Sequence, residues 1–271
     1  MKVLFLGYGH MGGALGEAWK ASGLASNVLA VDPVATPEQA AHAGRHASVD
    51  ALVAAGAGEG IELVVLAVKP AKAVEALRAL PASLMRGAAV VSIAAGVPVA
   101  SLVAALPAGT PVVRAMPNTP VILRAGCTGL FAGTAAGASN AALRERIAAL
   151  FAAVGSAHWV EQEPLLDAVT ALSGSGPAYY HLFSEALAAA GVALGLAPAL
   201  ARQLAADTAW GAAAQQHAPG ADFVSLRQAV TSPNGTTAAA IGVFEHDGAL
   251  RQLVERAALA ARQRAVELSA S

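Results

Sequence analysis

The chain opens MKVLFLGYGHMGG, an apolar run of strand length that meets spaced glycines and then an Ala/Leu/Trp helical pattern reaching about Ser22. Strand, glycine turn and helix in that order leave few folds available. Gly7 permits the tight turn, Gly9 lets a backbone approach a pyrophosphate, and Gly12 lets the helix pack close to the strand. The helix start then offers unpaired N–H groups and partial positive charge to phosphate. A bare Gly-x-Gly-x-x-Gly is a weak signal. Here it has its context: strand before, helix after, and Asp32 at the end of the next apolar run, NVLAV.

Further strand-like runs at Leu63–Val68, Ala88–Ile93 and Pro111–Ala115 alternate with helical segments, the pattern of a doubly wound parallel sheet. Ligands of such sheets bind outside the carboxyl ends of the strands. The tails Ala67-Val68-Lys69-Pro70, Ser92-Ile93-Ala94 and Arg114–Pro120 are therefore expected to ring one cleft. Lys69 is read either as a solvated lysine or as a cofactor contact. A carboxylate at Asp32 accepts hydrogen bonds from a ribose diol and repels a 2′-phosphate, which on physics alone favours NADH; the alternative is an Asp32 that points to solvent and discriminates nothing.

Among the 271 residues, 17 basic nearly balance 18 acidic ones, so no basic field points to nucleic acid. Charged residues are only 13% of the chain, about half the usual ~25%, which hints at a large subunit interface. Mean hydropathy is high, at +0.55. The longest uncharged run, Gly87–Val113, is broken by Pro98, Pro107, Gly109 and Pro111, so it reads as strand, helix and strand, not as a membrane span. The single cysteine, Cys127, is read as a small buried hydrophobe; it makes a reducing, cytoplasmic location the expectation.

After a SAHWV segment the strands stop. Helical patterns fill roughly 163–173, 177–195, 198–217, 236–246 and 248–268, and several are apolar nearly all round. Glu185, Arg202 and Asp207 argue against lipid, which leaves symmetric dimerisation through these helices; Trp159 and Trp210 are read as core or interface. The expected division is a Rossmann-like domain over 1–160 and an all-α dimerisation domain over 161–271. Two Gly/Ser/Pro turns feed helices here, Leu172–Tyr179 and TSPNGTT at 231–237. Each is read either as plain N-capping or as an anchor for an anion such as a carboxylate. His42 and His46 are spaced i,i+4 with nothing to complete a ligand set, so no metal site is expected.

GYGHMG, AVKP, SIAAGV, RAMPNTP, AVTALSGSGPAY and VTSPNGTTAAAI, in that order, resemble the pyrroline-5-carboxylate reductases. The resemblance spans about residues 2–267. It implies reduction of a cyclic imine, 1-pyrroline-5-carboxylate, to L-proline by NAD(P)H, in dimers that often assemble into rings, with a site built from two chains. It places Leu6, Gly7, Tyr8, Gly9, His10, Met11, Ala67, Val68, Lys69, Pro70, Ser92, Ile93 and Ala94 on the dinucleotide. Glu163, Ser232 and Thr237 would face the substrate, and Thr236 the substrate or cofactor. Ser175, Gly176 and Gly235 join the substrate set through the two turns, with Thr237 and Ser232 as the reacting-centre hydroxyls. The family commonly uses NADPH, against the reading of Asp32, and the nucleotide stays open. The usual Ser-Pro-Gly-Gly-Thr-Thr has Asn234 at its third position, a residue that tolerates positive φ. The insertions AGAGEG and APGADFVSLRQ shift the alignment of local contacts, including the adenine side near Ser48.

Two other classes share parts of this plan. A β-hydroxyacid-type dehydrogenase needs an acid/base near the reacting carbon, a lysine four residues after the last glycine of a comparable loop; Tyr180 stands there, after Gly176. A non-catalytic nucleotide sensor would keep the fold but not both hydroxyl-bearing turns.

Overall fold

In a computed structural model, which describes residues 1–33, 44–137 and 140–270, the chain forms two compact units, Met1–Ser175 with Ala261–Ser271, and Gly176–Ala260. Packing thus groups 161–175, and the end of the last helix, with the strands; the sequence reading divided the chain at 160.

The first unit holds an eight-stranded sheet: β1 (Lys2–Leu6), β2 (Asn27–Val31), β3 (Arg45–His46), β4 (Leu63–Leu66), β5 (Ala89–Ser92), β6 (Val112–Met116), β7 (Gly126–Ala132) and β8 (Gly155–Trp159). Their order is β3-β2-β1-β4-β5-β6-β7-β8. Strands β1 to β6 pair in parallel, β7 runs antiparallel to β6, and β8 pairs in parallel with β7. The order reverses between β1 and β4, the switch point at which ligands of such sheets bind.

Alternation explains the layers. Val3 and Phe5 of β1, Leu63 and Val65 of β4, and Val91 of β5 share one core with Leu15 and Trp19 of helix α1 (His10–Ala21). Leu4, Leu6, Val64, Leu66 and Val90 share the other, with Leu52 of α2 (Val49–Ala54), Leu77 of α3 (Ala73–Arg78) and Leu102 of α4 (Val99–Val103). Both faces are dry, which is why these strands read as continuous apolar runs. The run Gly87–Val113 becomes β5, α4 and β6, as its prolines indicated.

Trp19 anchors the first core, 5.6 Å from Phe5 and 5.5 Å from Phe151 of α5 (Ala141–Ala152), ring to ring. Three elements passed unrecognised in sequence: the two-residue β3, the Gly-rich β7, and a helix in the second unit. Cys127, near the start of β7, is partly accessible where a buried thiol was expected.

After α6 (Leu165–Val169) and a π-turn (Thr170–Gly174), the second unit is all helix: α7 (Gly176–Ala193), α8 (Pro198–Gln216), α9 (Phe223–Ala229), α10 (Thr236–Glu245) and most of α11 (Ala249–Ala270). The unrecognised helix is α9, started by Asp222, whose carboxylate accepts from Ser225 N–H at 2.8 Å. This unit has almost no interior of its own. Its buried described residues are Gly176, Ala201 and Ala205, while Trp210 stands 75% exposed. Among the described residues no helix is long and apolar enough to cross a membrane.

Glu62 ties three elements of the first unit. Its carboxylate accepts from the N–H of Lys2 at the head of β1 and from Arg146 of α5. The Arg146 bond first, then that of Lys2, hold its pKa below the usual carboxylate range. A depressed folded-state pKa adds stability that is present above the unfolded value of about 4.3 and lost as pH falls through the folded one. Glu62→Gln is therefore expected to lower the urea midpoint at pH 7 and to flatten its fall below about pH 4. Parallel midpoint-versus-pH curves for the two proteins would contradict this.

Candidate active site

The register lines up the carboxyl ends of five strands. Val31 pairs with Leu6, Leu6 with Leu66, Leu66 with Ser92, and Ser92 with Arg114. Every loop that leaves this row emerges on the same edge of the sheet.

At the switch point two loops touch. Gly7 has φ +85°, and its N–H donates to Val31 O at 2.9 Å. A Cβ on Gly7 would sit 2.7 Å from the carbonyl oxygen of Ala67, so no other residue fits beneath the β4 tail. Gly12 closes the helix onto the turn: a Cβ there would lie 2.8 Å from Gly7 O and 3.3 Å from the Ala67 Cβ. Gly9 differs. A Cβ on it would meet nothing within 4 Å among the described residues, and it heads the twelve-residue α1 with no side-chain cap among them. Packing needs glycine at 7 and 12. The space at Gly9 fits a pyrophosphate on an uncapped helix start.

Leu6 and Tyr8 are both buried, which leaves only their main chains for a nucleotide; Gly9 and His10 are exposed at the helix start and Met11 is half-buried. Tyr8 instead pins the turn from below. Its ring packs edge-on against Phe5 at 5.1 Å, carries the Arg45 guanidinium over it at 4.4 Å, and covers Gly16, where a Cβ would overlap the hydroxyl. The hydroxyl donates to Glu17 at 3.2 Å. Burial first, then the Glu17 charge, push its pKa well above the ordinary tyrosine value, so Tyr8 remains a neutral donor. Asp32 also serves the turn: its Oδ2 accepts from the Tyr8 N–H at 2.7 Å. The carboxylate expected at a ribose is thus also the clamp of the glycine loop.

The neighbouring tails vary in character. Ala67 and Val68 are half-buried, while Lys69 and Pro70 are exposed. Ser92 is buried and its hydroxyl accepts from the Ala94 N–H at 3.3 Å, so it shapes the Ile93–Ala94 turn from within. The last turn of α11 packs on the same loop, with Leu268 O 2.9 Å from where a Gly96 Cβ would sit. Ser48 caps α2 by accepting from Ala51 N–H at 3.1 Å.

Glu163 lies at the far end of the row. Its Oε1 accepts from Val99 N–H and from Arg114, both at 2.7 Å, and Arg114 is buried. The LSGSG turn is a π-turn in which Ser175 N–H donates to Thr170 O at 2.8 Å. That N–H was expected to face an anion; it is spent inside the turn. Gly176, buried, starts α7.

In the second unit, Ser232 O accepts from Gly235 N–H at 3.0 Å across Pro233 and Asn234. Proline followed by positive φ, here +59° at Asn234, is the type II turn pattern. Gly235 then heads the ten-residue α10 with no side-chain cap among the described residues. Ser232 and Thr236 are exposed and Thr237 is half-buried. Hydroxyls and uncapped N–H groups therefore share one helix start, where plain N-capping would have consumed them. Among the described residues no group of three His, Cys, Asp or Glu is placed to hold a metal; His42 lies outside them.

Residues 163–268 match the family model for pyrroline-5-carboxylate reductase dimerisation, and residues 2–96 match that for NADP oxidoreductase, coenzyme F420-dependent. A pyrroline-5-carboxylate reductase of Pseudomonas aeruginosa is 42% identical over 270 residues, covering 99% of this chain and 97% of its own. The chain belongs to the pyrroline-5-carboxylate reductase family. A Vibrio alginolyticus member is 36% identical over 98% of this chain and 97% of its own. The solved pyrroline-5-carboxylate reductase of Coxiella burnetii superposes with a TM-score of 0.87 at 33% identity, over 99% of this chain and 98% of that one. The family's nucleotide half coincides with the glycine turn and its dimerisation half with the helical region. Sequence reading missed the burial of Tyr8 and the Asp32 clamp, since neither leaves a periodic signal.

Gly7→Ala combines a positive φ with overlap on Ala67 O and is expected to cost roughly 2–4 kcal/mol. Thermal melts should also lose the upward shift given by reduced nucleotide; a retained shift would show the turn to be tolerant. Asn234→Val is expected to cost about 1–2 kcal/mol through its φ, and Asn234→Gly close to nothing. Equal melting points for the two would contradict a strained turn.

Proposed function

We propose that this family member reduces 1-pyrroline-5-carboxylate to L-proline with NADPH or NADH. The observation that carries the reading is the Ser232–Thr237 turn and helix start: the hydroxyls of Ser232, Thr236 and Thr237 and uncapped main-chain donors, with no acid, lysine or histidine in the turn. Such a start suits a substrate that needs its carboxylate held and its nitrogen oriented, and nothing protonated during hydride transfer.

When bound, the reduced nicotinamide supplies the hydride. The N–H groups at the head of α10 bind the substrate carboxylate, aided by the helix's partial positive charge. Thr237 hydrogen-bonds the ring nitrogen and Ser232 flanks it. If the imine enters protonated, addition of hydride to its carbon leaves a neutral amine that then takes a proton from water. The turn's task is therefore orientation. Glu163, Ser175 and Gly176 belong to the substrate set, and Thr236 to the substrate or cofactor.

The glycine turn, Asp32, Lys69 and the Ala67–Pro70 and Ser92–Ala94 tails form the nucleotide set. Its placement is supported by the space at Gly9 and by the NADP oxidoreductase match over residues 2–96. A homodimer, extending to rings of dimers, is part of the same proposal, supported by the exposed apolar helices of residues 176–260 and the dimerisation match. With a lone cysteine we place it in the cytoplasm.

Oxidation of NADH or NADPH with the imine as substrate is the direct test, and absence of turnover with both would overturn the proposal. Thr237→Ala is expected to lower kcat/KM by about 10–100-fold through one lost transition-state hydrogen bond. Unchanged kinetics would remove Thr237 from the site. Steady-state rates with the two nucleotides read the role of Asp32: a wide preference for NADPH would show that its charge does not discriminate.

A further inference from the structure

Asn118, in the RAMPNTP tail, is buried although it was expected to line the cleft. Both ends of its amide are used within the first unit. Its Oδ1 accepts from the Cys127 N–H of β7 at 2.8 Å, and its Nδ2 donates to the Ser173 carbonyl at 3.0 Å. The second bond joins two loops 55 residues apart.

The sequence around Ser173 explains the need for it. In a continuing α-helix the Ser173 carbonyl would accept from the N–H four residues on. That residue is Pro177, which has no N–H. The helix meets this point as a π-turn, closed by Ser175 N–H on Thr170 O, with the Ser173 hydroxyl donating back to Val169 O at 3.1 Å. Asn118 Nδ2 takes the place of the absent main-chain donor. Met116, two residues earlier, supports the same loop: a Cβ on Gly174 would lie 2.9 Å from its methyl carbon.

We infer that Asn118 is a positioning residue for the substrate: its carboxamide stands in for the missing N–H of Pro177 and holds the Ser173–Ser175 turn in the shape that presents Ser175 and Gly176. The inference rests on the assignment of those two residues to the substrate set. Asn118 touches no reacting atom. Its loss is a loss of order in the substrate loop, with the glycine turn untouched.

Asn118→Ala removes both bonds, and Asn118→Asp keeps the acceptor for Cys127 but turns an acceptor towards Ser173 O. Both are expected to raise the KM for the imine about 10–30-fold, with the KM for reduced nucleotide changed less than about twofold. Pro177→Ala supplies an N–H, so Asn118→Ala with Pro177→Ala should recover several-fold in imine KM over Asn118→Ala alone. For Asn118→Asp the imine KM should fall as pH drops and the new carboxyl becomes a donor. An unchanged imine KM, equal rises in both KM values, or no recovery in the double variant would overturn the inference. If neither single variant folds, hydrogen exchange of wild-type peptide 170–176 decides: slow exchange without ligand is expected, and exchange as fast as in exposed loops overturns it. Failure of wild-type protein to turn over the imine would instead strike the assigned function, and the exchange measurement would still read the role of Asn118 in holding the turn.

Discussion

The close approach of the first loop to the β4 tail governs the rest of the nucleotide half. Gly7 lies so near the Ala67 carbonyl that a single added carbon would not fit. That approach is possible because β1 and β4 are neighbours at the point where the strand order reverses. It brings α1 down onto the turn through Gly12 and leaves its N–H groups pointing outward at Gly9. Tyr8 and Asp32 then secure the turn from inside, by ring packing and by a charge-assisted bond to a main-chain N–H. The turn proposed to hold the pyrophosphate is thereby fixed by the chain's own packing.

The helical half follows a different logic. Residues 176–260 place their large apolar side chains outward, which a single chain can sustain only if another surface covers them. The low charge of the sequence is the compositional trace of that surface. The chemistry proposed for it is concentrated at one helix start, where a type II turn leaves donors and hydroxyls unspent. A carboxylate-bearing imine needs binding and orientation more than proton transfer, so a site without acid or base suits it.

Polar groups inside the first unit are used to fix loops. Asp32 holds the glycine turn, Arg114 and Val99 N–H hold Glu163, Ser92 holds its own turn, and Asn118 holds the π-turn. Each satisfies a main-chain group or a charge that would otherwise be costly to bury. Loops fixed in this way keep their shape at the rim of a rigid sheet.

Much of the fold was legible because its signals are local. The glycine spacing, the apolar strands buried on both faces and the prolines within Gly87–Val113 each act over a few residues, and they marked β1, β2, β4, β5 and β6. The positive φ accepted by Asn234 was likewise readable, since it depends on residue type. By contrast, β7 is Gly-Cys-Thr-Gly-rich and gains strand character from its pairing with β6 and β8; the two-residue β3 exists only as an addition to β2. What tertiary structure alone decided is the use of side chains: Tyr8 turned inward, Ser175 N–H closed on Thr170, and Asn118 set against a carbonyl 55 residues away. Residue type and spacing specify which groups a chain can offer; only the packed sheet decides which of them are already spoken for, because burial leaves no polar group without a partner cheaply.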